Sequence, residues 1–190
     1  MSRSSTINIR AALVLAFAVL ALLVTGVARA DAKSLKLKGD NTALTLNADT
    51  ANALTDAGYT VAPVGAAKVR NDGSIAFPIT RGRVNAKTLA GYITHSGGLS
   101  IANGHKSVVV TRFTIRTDRG KPFLSARAGK ARLRLLNLSE VKRSDAGGKV
   151  VVTAKATLAK PAAKALNAAF GTSLFKAGLP IGTAKVTASA

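Results

Sequence analysis

Four side chains in this sequence could ligate a metal ion or a haem iron: Tyr59, Tyr92, His95 and His105. They are the chain's only Tyr and His, and there is no Cys. A zinc site takes three or four N, S or O ligands, so this set points away from zinc. The missing Cys also removes a thiol nucleophile, a lipid-anchored N-terminus and a disulfide scaffold. Acid–base chemistry has few candidates: of eight acids, seven are Asp and Glu140 is the only Glu. Asp118 and Asp145 have no base or nucleophile at a recognisable spacing. No Gly-x-Ser-x-Gly elbow, P-loop or Gly-x-Gly-x-x-Gly run occurs. The reading is a non-enzymatic protein with no catalytic residues and no metal site.

The second chemical set is basic. Lys plus Arg number 28 against 8 acids, a net charge of +20. Ten of the cations fall between Arg112 and Arg143, opposed only by Asp118 and Glu140. Arg112, Arg116, Arg127, Lys130, Arg132 and Arg134 sit in or beside strand-like segments, where a period of two collects alternate residues on one sheet face. Like charges side by side across strands cost stability, so this face is a candidate anion-binding surface. Outward charge is also the ordinary state of an antiparallel strand. With no Trp in the chain and Phe113 expected to face inward, there is no aromatic platform for stacking bases, and nucleic acid is not the expected partner.

The N-terminus decides where such a face would work. Met1–Arg10 carries Arg3 and Arg10 and no acid, Ala11–Val24 is an unbroken apolar run, and Ala28-Arg29-Ala30 follows. These are the three parts of a secretory signal peptide, and the run of 14 is short of the roughly 20 residues that span a bilayer. Residues 1–30 are therefore expected to be a signal peptide, and 31–190 a single β-rich domain. Loss of Arg3, Arg10 and Arg29 lowers the charge from +20 to +17. The expected location is secreted, extracellular or cell-wall associated. The expected partners are an anionic envelope polymer, an anionic lipid, or a small anion such as haem.

The elements that must position these residues are mostly strands. Two stretches repeat. Thr45–Leu54 resembles Thr157–Leu166, and Pro63–Val69 resembles Pro180–Val186, with five extra residues in the second copy around Ala169–Lys176. Each copy reads as a strand ending in Thr-Leu, a short Ala-rich helix, a Pro-x-Gly turn and a strand. Asp49 can cap the first helix and Gly58 follow it. Pro161 suits the first turn of the second, which Gly171 can end. Between the copies, Ser74–Thr80 alternates, and Pro78 marks an edge or a bulge. Leu89–His95 and Leu99–Ala102 flank Ser96-Gly97-Gly98, a hairpin signal that would bring His95 and His105 toward one end of a sheet. Asn103-Gly104 marks the next turn, Ser107–Thr117 the longest strand. Lys121–Ala126, Lys130–Leu138 and Lys149–Leu158 complete the set. Turn signals every eight to twelve residues predict a mainly β protein, an antiparallel β-sandwich or barrel-like core with two short helices from the repeated strand–helix–strand unit.

One stretch resembles a known family. Gly91-Tyr92-Ile93-Thr94-His95-Ser96-Gly97-Gly98-Leu99, followed by the alternating Val108–Ile115 and by Leu124-Ser125-Ala126, is similar to the core of the HtaA-like domains of exported haem-binding proteins. The closing Ala163–Gly171 and Gly178–Gly182 segments also look like the end of exported actinobacterial proteins of this sort. The resemblance implies a β-rich fold and haem as a possible cofactor, its iron held by a Tyr with a His nearby. His95 matches a family His. The family's Trp and the Tyr before this core have no counterpart at the matching places, so Tyr59 or Tyr92 would take the Tyr's part, with His95 or His105 beside it. Two functions result: an exported cell-surface binding or structural module with a basic anion-binding face, and a haem-binding protein of HtaA-like type.

Overall fold

The structure, a computed structural model, describes residues 34–189. Residues 1–30, expected to be a signal peptide, lie outside the described residues. In chain order the elements are β1 (Ser34–Leu46), α1 (Ala48–Asp56), β2 (Tyr59–Val64), β3 (Lys68–Val69), β4 (Ile75–Asn85), β5 (Gly91–His95), β6 (Gly98–Asn103), β7 (Lys106–Arg116), β8 (Phe123–Ala128), β9 (Ala131–Ala146), β10 (Lys149–Leu158), α2 (Lys160–Phe170) and β11 (Pro180–Ser189).

All strand pairs are antiparallel. β7, β5, β4, β1, β11, β10, β9 and β8 follow one another around a ring, and β8 pairs back onto β7. The predicted sandwich or barrel is therefore an eight-stranded closed barrel, which leaves the ring without a free edge. β6 and β2 extend from β7, and β3 lies on β4.

The period-two pattern explains the interior. Ile75, Phe77 and Ile79 of β4, Phe113 and Ile115 of β7, Leu124 and Ala126 of β8, and Ala154 and Ala156 of β10 are all buried in one core. Pro78 lies just before the bulge of β4 against β5, which falls between Ile79 and Arg81. In β9 the alternation slips, since Leu135 and Leu136 are both buried, and the β8–β9 register shifts at the same place.

The Ser96-Gly97-Gly98 stretch is not a hairpin. β5 pairs with β7 through Tyr92↔Arg116 and Thr94↔Thr114, and β6 pairs with the same edge of β7 through Gly98↔Thr111 and Asn103↔Lys106. The two form one bent strand along β7, and the hairpin is β6–β7, turning at Gly104-His105. Gly97 has φ +80, and a Cβ there would press on Ala67. The Gly pair thus makes a kink, with Arg112 opposite at φ 54.

Both repeat units contain the strand–helix–strand order, with differences. Asn47, not Asp49, caps α1: its side chain accepts from the Thr50 N–H at 2.9 Å, and Asp49 sits in the first turn. α2 has Pro161 in its first turn and ends at Gly171 in the left-handed conformation, as predicted. Pro63 closes β2, whereas Pro180 opens the ten-residue β11. α2 buries Ala162, Ala163, Leu166 and Phe170 in the core; α1 buries only Thr50.

Candidate functional site

His95 is the one candidate ligand inside the barrel. β5 alternates Ile93 and His95 inward, and His95 is 5% exposed. Its Nε2 lies 2.7 Å from the Thr42 hydroxyl, and its Nδ1 lies 3.4 Å from the Phe113 carbonyl. A carbonyl only accepts, so Nδ1 carries the proton, and Nε2 accepts from Thr42. Around the ring stand Leu44, Phe77, Leu99, Ile115, Leu136 and Leu138, with no charged group. Burial pushes the imidazole down from its ordinary 6.5 to about 4, and the bond to Phe113 opposes this only in part. His95 is therefore neutral at pH 7, with a lone pair on Nε2.

The same residue borders a solvent-open hollow of about 280 Å³, lined also by Val64, Gly65, Ser96, Gly97, Thr111 and Arg112. The hollow exists because β5–β6 kinks at Gly97 while β7 bulges between Thr111 and Thr114. The bulge leaves the exposed Arg112 as its one cation.

The other three candidates lie elsewhere. Tyr59 begins β2 and is 7% exposed, its ring edge-on to Phe170 at 5.1 Å and to Phe175 at 5.3 Å. Tyr92 is on the outer barrel face, opposite Arg83 and Arg116. His105 is exposed in the β6–β7 turn. It lies ten positions further along the chain than His95, roughly 30 Å for extended backbone, because β5 and β6 run end to end. The expected approach of the two His does not occur; Tyr59 pairs with Asn103, two residues before His105, and His95 hydrogen-bonds to Thr42 and the Phe113 carbonyl and to none of the other three. Among the described residues no three His, Asp or Glu cluster as metal ligands.

Arg116, Arg127, Arg132 and Arg134 fall on the outer face of β7–β9. Arg127 and Arg132 stand directly opposite each other. Arg132 donates to the Ser125 hydroxyl at 3.0 Å and the Thr114 hydroxyl at 3.4 Å, while Nε of Arg127 is buried without a partner. The Arg134 guanidinium lies 4.1 Å over the Phe123 ring. Arg116 pairs with Asp118 at 2.8 Å, which raises the guanidinium's pKa and lowers the carboxyl's. Lys130 is exposed in the β8–β9 turn.

Thr42 is the partner that sequence reading missed. It lies 53 residues before His95 and meets it because β1 and β5 flank β4. No local pattern marks it.

The chain thus forms a closed antiparallel β-barrel that carries two short helices and a buried His beside an open hollow. No family model and no curated protein matches the chain. Solved structures do. The C-terminal domain of HtaA from Corynebacterium glutamicum superposes with a TM-score of 0.62 at 15% identity, over 81% of this chain and 98% of that one. The N-terminal domain of HtaA gives 0.56 at 12% identity, over 80% and 99%. The heme binding protein HtaB of the same organism gives 0.55 at 9% identity, over 83% and 96%. The fold is that of the HtaA and HtaB domains, as the stretch around His95 implied.

Proposed function

We propose that this protein is an exported, non-enzymatic haem-binding barrel with His95 as its iron-side residue. The observation that carries the reading is His95 itself, a buried imidazole held neutral with an Nε2 lone pair, at the wall of an open hollow. A neutral imidazole is the form that ligates metals, and Arg112 at the rim suits a propionate. The fold shared with a protein described as heme binding supports the same class. Bound haem would supply the iron centre. The chain's part is to present His95 once the Thr42 hydroxyl gives up Nε2, and to pair Arg112 with the anionic edge. Titration of the purified domain with haemin tests this: a saturable Soret shift that His95→Ala removes is expected, and Tyr59→Phe and Tyr92→Phe leave it in place. Absence of any shift in the wild type refutes the reading.

A second reading, the anionic-polymer or lipid surface, is favoured by one feature: Arg127 and Arg132 face each other with no carboxylate between them. Retention on an anionic polymer or anionic liposomes across a salt series tests it. Retention should be strongest at low salt, and no retention there refutes it.

A further inference from the structure

The apolar interior holds a cavity of about 210 Å³ at the end of the barrel where both helices lie. Protein interiors carry few voids larger than a water molecule, and apolar cavities of roughly 150 Å³ stay dry and take small hydrocarbons. This one is walled by Leu46, Leu54, Val61, Ile101, Leu135 and Ile181, among others. Three of its polar neighbours, Asn47, Thr50 and Thr55, are already engaged. Asn47 caps α1, the Thr50 hydroxyl donates to the Pro180 carbonyl at 2.6 Å, and that of Thr55 donates to the Ala51 carbonyl at 3.0 Å. Tyr59 also lines it, so beyond these three the wall is hydrocarbon apart from one phenol.

The two helices explain why the space is open. α2 drives Leu166 and Phe170 into the core. α1, its counterpart in the other repeat unit, turns Thr50, Ala51 and Leu54 toward the cavity and buries only Thr50. A lid of small side chains lies over the space without filling it.

We propose that this cavity binds a saturated hydrocarbon chain, entering under α1 with any head group left in solvent. The cavity shares no lining residue with the open hollow, and Leu44, Leu99 and Leu136 stand between it and the His95 ring; the proposal does not rest on the haem reading.

Isothermal calorimetry of the purified domain with 1-octanol, octanoate and dioctanoylphosphatidylcholine tests it, with the thermal midpoint as a second readout. Saturable one-to-one binding and a raised midpoint are expected for the wild type. Ala51→Leu, which keeps a good helix former in α1, and Val61→Phe each put bulk into the cavity. Either should weaken binding at least tenfold while circular dichroism stays native. Binding of the alcohol and acid alone identifies free chains as the source, and binding of all three extends it to lipid tails. No saturable binding to the wild type overturns the proposal. So does undiminished binding in a folded Ala51→Leu or Val61→Phe variant.

Discussion

Lowering the pH from 7.5 to 4 should destabilise the protein through one residue, His95. Its pKa falls from 6.5 in the unfolded chain to about 4 in the fold. Between those values the unfolded chain binds a proton that the native state refuses, so stability rises with pH across that window. The neutral ring's full contribution is present above pH 6.5 and lost as pH falls through 4. At 1.36 kcal/mol per pKa unit, the loss is about 3 kcal/mol. For a domain of this size the thermal midpoint should fall by about 10 °C. The ring is 5% exposed, so solvent screening offers little discount. The carboxyls of Asp72 and Asp118 are held below 3.8 by the Ser74 and Arg116 hydrogen bonds respectively, so their own losses fall below this window. The assay is urea unfolding of wild type and His95→Gln at pH 7.5, 6.5, 5.5 and 4.5, at constant ionic strength. His105 and every acid are common to both proteins and cancel in the difference. The wild type should lose about 2.5 kcal/mol more than the variant by pH 4.5. Parallel pH profiles would refute the assignment of a buried, neutral His95.

Three further substitutions probe the same architecture by chemical denaturation. Gly97→Ala places a Cβ in the left-handed region and against Ala67, and should cost about 2 kcal/mol or more; an unchanged midpoint would mean that β5–β6 does not kink there. Thr42→Val keeps the shape but leaves His95 Nε2 without its donor, and should cost about 1–3 kcal/mol, with the loss shrinking in a His95→Leu background. Phe170→Ala removes the ring between Tyr59 and Phe175 and should cost about 3–5 kcal/mol.

Most strands, their antiparallel pairing and most inward faces were legible in the sequence because period-two alternation is a local signal, whereas β2 (Tyr59–Val64) was hidden by the Pro-x-Gly turn signal at Pro63. β10 was read at its observed bounds, and Pro161 and Gly171 marked the ends of α2. Closure of the barrel was not legible. It depends on β8 pairing with β7 on one side and β9 on the other, and register between strands leaves no mark on either strand alone. The Ser96-Gly97-Gly98 stretch was misread for a related reason. Gly supplies positive φ both to a hairpin turn and to a kink within a strand. What decides between them is whether the flanking strands pair with each other or with a third. Here β7 offers both of them one edge, and that single difference moves His105 from the neighbourhood of His95 to the far end of the strand.

The same physics explains why the site is harder to read than the fold. His95 was identifiable as a residue type at a strand end, but its chemistry comes from burial, from Thr42 two strands away and from the Phe113 carbonyl within the β7 bulge. None of these is sequence-local. The repeat shows the converse case, in which a visible sequence difference has a structural consequence. The five extra residues of the second copy carry Phe175, and Asn167 pins that segment by accepting the Phe175 N–H at 3.0 Å and donating to its carbonyl at 2.8 Å. Phe175 then packs with Phe170 and Tyr59 and fills the space beside α2. The first copy lacks the insertion and has Thr50, Ala51 and Leu54 beneath its helix, so that side of the barrel end stays open. Two copies of one unit have thus diverged into a plug and a lid, and the cavity lies under the lid because no aromatic was added there.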